Sequence, residues 1–317
     1  MTPDLERAVE RGLAFLARRQ ITRGGGKGSF GTAGYSGGVA VCALSGLAFM
    51  TGGNPPGRGP YGKHVDRCVE FLVKNTNQQG YIAAPGGGRD RMYGHGFATL
   101  FLAEAYGMSM HQDQDSELGK TVRSAVKLIV DTQNDAGGWR YQPVKGDADL
   151  SITICQIMAL RAARDAGIHV PERTRSLCID YVKKSQNADG SFRYQVSSGR
   201  SGSFPLTAAG IVALNSAGIY TGPEIERALN CMMRYIPSGS MHDHYYFYGH
   251  YYAAQAAWHA GGDYWRKWFR AVRDTLLKNQ RDNGSWIDPT VGAEFGTAMA
   301  CIILQLPNNY LPIFAEG

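Results

Sequence analysis

Two kinds of hydrophobic pattern alternate along the chain. Near the start, Leu5, Ala8, Val9, Leu13 and Leu16 fall at helical spacing on one face, with Glu6, Arg7, Glu10, Arg11 and Arg18 on the other. That pattern predicts a helix with one side in solvent. By contrast, Leu150-Ser-Ile-Thr-Ile-Cys-Gln-Ile-Met-Ala-Leu160 is apolar nearly all round, which predicts a helix buried on most sides. The pair returns, joined by a glycine-aromatic loop. The first copy runs Leu5–Gln20, Gly28-Ser29-Phe30 and Gly38–Met50, and the second Val65–Gln79, Gly80-Tyr81 and Gly94–Gly107. The third runs Val122–Gln133, Gly137-Gly138-Trp139 and Leu150–Ala166, and the fourth Thr174–Gln186, Gly190-Ser191-Phe192 and Thr207–Gly218. In the fifth, Glu224–Tyr235 leads through a degenerate loop to Tyr248–Ala260; the sixth runs Trp265–Gln280, Gly284-Ser285-Trp286 and Phe295–Leu306.

Recurrence at roughly 45–58 residues signals a helical repeat array. Alternating surface and buried helices suggest two concentric rings. The fold predicted is therefore an all-α (α/α)6 toroid of about six helical hairpins, one domain over residues 1–317. A straight solenoid is the alternative, but no end repeat looks like a solubilising cap. Asp113 to Glu117 is the most polar linker. In each loop, glycine permits a sharp turn, the aromatic packs back on the helix ends, and the glutamine can bond backbone groups freed at the next helix.

Composition is that of an ordinary globular protein, at 44% hydrophobic and 19% charged, and the recurrent loops account for an unusual 41 glycines. The net charge of +6 is spread out, and no basic block interleaved with aromatics argues for nucleic acid. Cys42, Cys68, Cys155, Cys178, Cys231 and Cys301 each lie in an apolar helical stretch without a CxxC pair. They read as reduced core residues, which favours a reducing, cytoplasmic setting. Met1 leads directly into an amphipathic helix, so no signal peptide is visible. The longest apolar run, Val39–Met50, is broken by Ser45 and Gly46 and is too short to span a membrane.

The helix-Gln-x(2–5)-Gly-x-Trp/Phe pattern resembles the QW motif of squalene-hopene and oxidosqualene cyclases, and a repeat found in protein prenyltransferase β subunits. Its best copies are Asp131-Thr-Gln-Asn-Asp-Ala-Gly-Gly-Trp139, Lys184-Ser-Gln-Asn-Ala-Asp-Gly-Ser-Phe192 and Lys278-Asn-Gln-Arg-Asp-Asn-Gly-Ser-Trp286. Matches cover roughly residues 5–306. The whole chain also looks like the single-barrel prenyltransferase and squalene oxidase repeat proteins of planctomycete bacteria. The likeness implies a toroid with a central cavity; it does not specify the reaction.

Asp147-Ala-Asp149-Leu-Ser-Ile, just before the third buried helix, resembles the Asp-x-Asp-Asp-Thr-Ala acid motif of class II terpene cyclases. On that match Asp149 falls at the proton donor, with Leu150 where the family has its next Asp and Ser151 in place of its Thr. Alkene protonation needs an acid that stays protonated in an apolar cavity. The competing reading is that Asp147 or Asp149 simply caps the buried helix. Tyr93-Gly-His95 and Tyr248-Gly-His250 open the buried helices of copies two and five. They place both histidines at one end of the inner ring, as packing groups or as partners of Asp149. Side chains of Asp149, His95 and His250 are expected to converge on one cavity. Tyr93, Phe97, Tyr141, Phe204, Tyr248, Tyr251 and Phe295 sit at similar repeat positions and are candidate substrate-binding residues, since aromatic faces stabilise a carbocation.

No metal and no cofactor are expected. His242-Asp243-His244 with His250 is the one metal-like grouping, read as solvated loop histidines. Prenyltransferases hold zinc with Asp-x-Cys and a later His, and here Ser151 stands where the thiolate is needed. Gly24-Gly-Gly-Lys27-Gly-Ser29 lacks the ending of a phosphate loop, and the Cys-Gly-Glu-Gln segment of complement thioester toroids is missing. Three functions remain open. One is an enzyme acting on an isoprenoid in the barrel, with Asp149 as acid and Asp147, His95 and His250 as tuning groups. The second is a non-catalytic lipid- or peptide-binding scaffold, and the third a polysaccharide lyase or hydrolase. The ligand expected is an apolar small molecule, without nucleic acid or a partner subunit; contact with a membrane surface stays open.

Overall fold

A computed structural model describes residues 2–31, 38–84, 91–109, 113, 115–197, 199, 201–241 and 245–315. Among them are twelve α-helices: α1 (Pro3–Arg19), α2 (Val39–Thr51), α3 (Gly62–Lys74), α4 (Arg91–Gly107), α5 (Glu117–Thr132), α6 (Leu150–Asp165), α7 (Glu172–Lys184), α8 (Phe204–Ser216), α9 (Pro223–Met232), α10 (Tyr246–Ala260), α11 (Gly262–Asn279) and α12 (Ala293–Gln305). The even-numbered helices form an inner ring. Each packs on the next, and α12 packs on α2, so the ring closes. The odd-numbered helices lie outside, and α1 meets both α11 and α12 across the closure. A two-residue antiparallel pair, Phe192–Arg193 with Gly202–Ser203, precedes α8.

All six predicted hairpins are present, with starts that differ by up to five residues. The structured α5 begins at Glu117, behind the N-cap Ser116, whose hydroxyl accepts from Gly119 N, whereas the apolar pattern starts only at Val122. First helical turns are often too polar for periodicity to register, whereas capping defines them. In copy two, Asn77 and Gln79 belong to the turn after α3, where Asn77 Oδ1 accepts from Gln79 N and Tyr81 N.

The loop glutamines couple one copy to the next. Gln133 Nε2 donates to Gly137 O in its own loop and to Thr174 O in α7, both at 2.9 Å. Gln20 makes the same pair of bonds to Gly28 O and His64 O, and Gln186 to Gly190 O and Glu224 O. Gln280 donates to Gly284 O and to Ala8 O, joining the sixth copy to the first. Each staple therefore closes a loop and holds the next outer helix. The loop glycine is obligatory at Gly137. Its φ is +98°, and a Cβ there would lie 2.0 Å from Leu177 O of α7, in a backbone region L-residues avoid.

Inner helices pack closely because small residues face each other. A Cβ at Gly96 of α4 would meet Cys155 Cβ of α6 at 2.7 Å. All six cysteines are buried and unpaired. At the end of the toroid away from the α6 N-terminus, the segment 311–315 packs over the inner ring. Ile313 and Phe314 are buried, Trp258 Nε1 donates to Phe314 O at 3.0 Å, and Arg161 donates to Ala315 O. Among the described residues, no helix is long and apolar enough to cross a membrane.

Candidate active site

Asp149 is the N-cap of α6. Its Oδ1 accepts from Ile152 N at 2.9 Å and from the Ser151 hydroxyl at 2.6 Å. The capping role is therefore real, yet it engages only one oxygen. Oδ2 makes no close hydrogen bond and Asp149 is 0% exposed; Arg140 Nε pairs with it at 3.9 Å, and the Tyr194 hydroxyl interacts with the carboxyl. Burial raises the carboxyl pKa above its ordinary value, against the opposing pull of Ser151, Ile152 N, the Tyr194 hydroxyl and Arg140. The combination is a buried carboxyl with a raised proton affinity and one oxygen outside the cap.

Hydroxyls surround it. The Tyr93 hydroxyl of α4 meets Ser151 Oγ at 2.5 Å, and Tyr248 of α10 donates to Ser151 O at 3.2 Å. Deeper, Tyr252 OH lies 3.5 Å from Cys155 Sγ, while Phe97 and Tyr251 pack edge to face with centroids 6.2 Å apart. On the loop side, Tyr141 and Tyr194 join hydroxyls at 2.5 Å, and Arg91 and Arg140 both lie over the Tyr141 ring. Asp147 is outside this shell. Its side chain is 57% exposed and pairs with Arg140 while accepting from Gln195 Nε2, so it orients the arginine from solvent.

The two histidines do not join Asp149. His95 Nδ1 accepts from Ile82 N at 3.2 Å, the place held by Thr153 for Trp139 N, Thr207 for Phe192 N and Thr297 for Trp286 N. It is a loop staple facing the outer ring. His250 packs among Tyr246, Phe204 and Trp268 of outer helix α11, with its Nδ1 unbonded. Burial lowers the pKa of His95 to about 4 and of His250 to about 3, so both are neutral at pH 7. Helical phase sets this placement. In Tyr-Gly-His, tyrosine and histidine are two residues apart, about 200° around a helix, so when histidine faces outward tyrosine faces inward. Tyr93 and Tyr248 are the residues that converge.

Of the remaining aromatic candidates, Phe204 also leaves the centre, stacking on Tyr235 and Trp268. Phe295 is half-buried in the first turn of α12. His242, Asp243 and His244 lie outside the described residues. Among the described ones, no group of three His, Cys, Asp or Glu could hold a metal ion. Sequence reading missed Arg140 and Tyr194. The signal was present in the repeat: Trp139-Arg140-Tyr141 and Phe192-Arg193-Tyr194 are equivalent triplets in adjacent copies, so Tyr141 and Tyr194 occupy matching positions beside one inner-helix start.

The molecule is thus an α/α toroid with an acid-bearing, tyrosine-rich site at one end of its inner ring. Solved structures share the fold. The type II terpene cyclase MstE from Scytonema is 18% identical, with a TM-score of 0.65 over 97% of this chain and 99% of that one. The cellobiose 2-epimerase of Bacillus thermoamylovorans is 13% identical, with a TM-score of 0.68 over 95% and 97%. An α-amylase from Clostridium perfringens is 11% identical, with a TM-score of 0.62 over 94% and 97%. No protein-family model matches the chain, and no curated protein sequence does.

Proposed function

We propose that the protein binds an apolar isoprenoid at the inner-ring end bearing Asp149, and that Asp149 is the general acid that protonates it. The observation that carries this reading is the state of the carboxyl. Oδ1 is fixed by Ser151 and Ile152 N, while Oδ2 is buried, takes no part in the cap and faces Arg140 Nε at 3.9 Å. In the proposed step the Oδ2 proton adds to an alkene carbon and leaves a carbocation. The resulting carboxylate is held by the Ser151 hydroxyl, Ile152 N and Arg140. The faces of Tyr93, Tyr248 and Phe97 are suited to stabilise the cation; its later deprotonation releases a proton to solvent and Asp149 regains one from solvent, so the net reaction is an isomerisation. MstE, a toroid of the same fold, was solved with geranylgeranyl dihydroxybenzoate as its substrate, which makes polyprenylated arenes the first compounds to test. The assay is product of unchanged mass and altered retention. Asp149→Asn should abolish it while the protein stays folded, and undiminished turnover by that variant would refute the acid role.

A second reading rests on the polar rim. Arg140, Tyr141 and Tyr194 form a guanidinium-hydroxyl cluster of the kind that binds hydroxylated sugars, and toroids of this fold include a cellobiose epimerase. Saturable binding of disaccharides, lost in Tyr194→Phe, together with inertness toward prenyl arenes would favour it.

A further inference from the structure

The opposite end of α6 carries a separate site. A cavity of about 180 Å³ opens between the last turns of α6, the first turn of α7 and the end of α8. With 16 residues in α6, it lies roughly 20 Å from Asp149 along the helix. Ile157, Leu160 and Val170 give it an apolar wall. Three guanidiniums line it, from Arg161, Arg164 and Arg175, against one carboxylate, Glu172. That carboxylate is already engaged by Arg175 at 2.6 Å.

Two lining groups are buried with polar atoms left over. Ser216 is 3% exposed, and its Oγ has no partner. The Arg161 side chain is 2% exposed; its Nε makes no hydrogen bond but is ion-paired at 3.5 Å with Asp165, which also pairs with Arg164 at 3.3 Å. Buried donors without acceptors are costly. Both residues line a cavity whose three guanidiniums outnumber the carboxylates paired with them, Glu172 and Asp165.

We propose that this cavity binds a compact monocarboxylate with a benzene-sized apolar body. The size follows from volume, since a cavity of about 150 Å³ holds benzene. The carboxylate would accept from Arg161 Nε and Ser216 Oγ, with Arg164 adding charge at the opening, and the ring would lie on Ile157, Leu160 and Val170. Arg164 is exposed and outside the Asp149 site, so it can be changed without touching the acid.

The test uses 4-fluorobenzoate as probe, followed by fluorine NMR and calorimetry on the full chain, with 4-fluorobenzyl alcohol and 4-fluorobenzylamine as controls. Saturable benzoate binding is expected, weakened about tenfold in Arg164→Gln, the effect of losing one charged contact. Filling the cavity with Leu160→Phe should abolish binding; Val170→Trp, at a half-buried position, serves if the first variant misfolds. Asp149→Asn should bind as tightly as the parent, which separates this site from the proposed active site. No saturation up to about 10 mM, near the weak end of specific recognition, would overturn the proposal. So would equal binding of the alcohol or amine, or benzoate binding indifferent to the Arg164 and cavity-filling variants.

Discussion

Replacing Gln133 by alanine tests how the ring is held together. Gln133 is 7% exposed, and its Nε2 donates to Gly137 O and Thr174 O, both at 2.9 Å. Alanine removes both bonds and strands the Gly137 carbonyl where little water reaches, while Thr174 O keeps its bond within α7. At about 1–1.5 kcal/mol for each bond, plus about 1 kcal/mol for the lost aliphatic burial, the cost is roughly 3 kcal/mol. For 317 residues the unfolding entropy is about 0.7 kcal/mol per kelvin, so the melting temperature should fall by about 4 °C. Urea denaturation monitored by circular dichroism should show a lower midpoint with an unchanged slope. Gln280→Ala, which breaks the equivalent bonds to Ala8 O and Gly284 O, should cost the same. Gln79 is exposed in its turn, so Gln79→Ala should be neutral within about 0.5 kcal/mol. If Gln133→Ala were as silent as Gln79→Ala, the glutamines would not be staples.

Other outcomes follow from buried groups. Glu104 of α4 is 2% exposed, and burial, with Asp165 nearby, raises its pKa from 4.5 to about 8 despite Arg161 and the Ile313 backbone. A carboxyl with a raised folded pKa stabilises most below its unfolded pKa, and that contribution is lost as pH rises from about 4.5 to about 8. Glu104→Gln should therefore gain stability over the parent across that interval, by up to roughly 4 kcal/mol at pH 8 to 9; parallel stability-pH curves would contradict this. Asp149→Ala should cost about 1–2 kcal/mol through the lost cap, whereas Asp149→Asn keeps an acceptor at Oδ1 and should stay within about 1 kcal/mol of the parent at pH 7. Equal losses in the two variants, read from thermal melts, would mean that the charge rather than the cap matters. Gly137→Ala should cost more than any of these, because a Cβ would meet Leu177 O at 2.0 Å; soluble protein of parental melting temperature would show the loop to be plastic.

The alternation of one-sided and all-round apolar helices, with glycine-aromatic loops between them, was enough to determine twelve helices, their division into surface and buried sets, and the Gln staple. These are local properties: period, turn chemistry and burial demand are written in neighbouring residues. The sequence also left Asp149 as either a cap or an acid; only packing shows that the cap uses one oxygen and leaves the other in different surroundings. Helical phase relative to the ring was likewise invisible. His95 and Tyr93 are both near an inner-helix start, and only the seating of α4 between α5 and α6 decides that His95 serves the loop at Ile82 while Tyr93 reaches Ser151. Arg140 and Tyr194 reach Asp149 from loops of different copies, a meeting that follows from ring geometry. Repeats specify what each copy can make; closure of the ring decides which face of each copy looks inward, since 100° of helix per residue turns a two-residue difference into opposite sides of the wall.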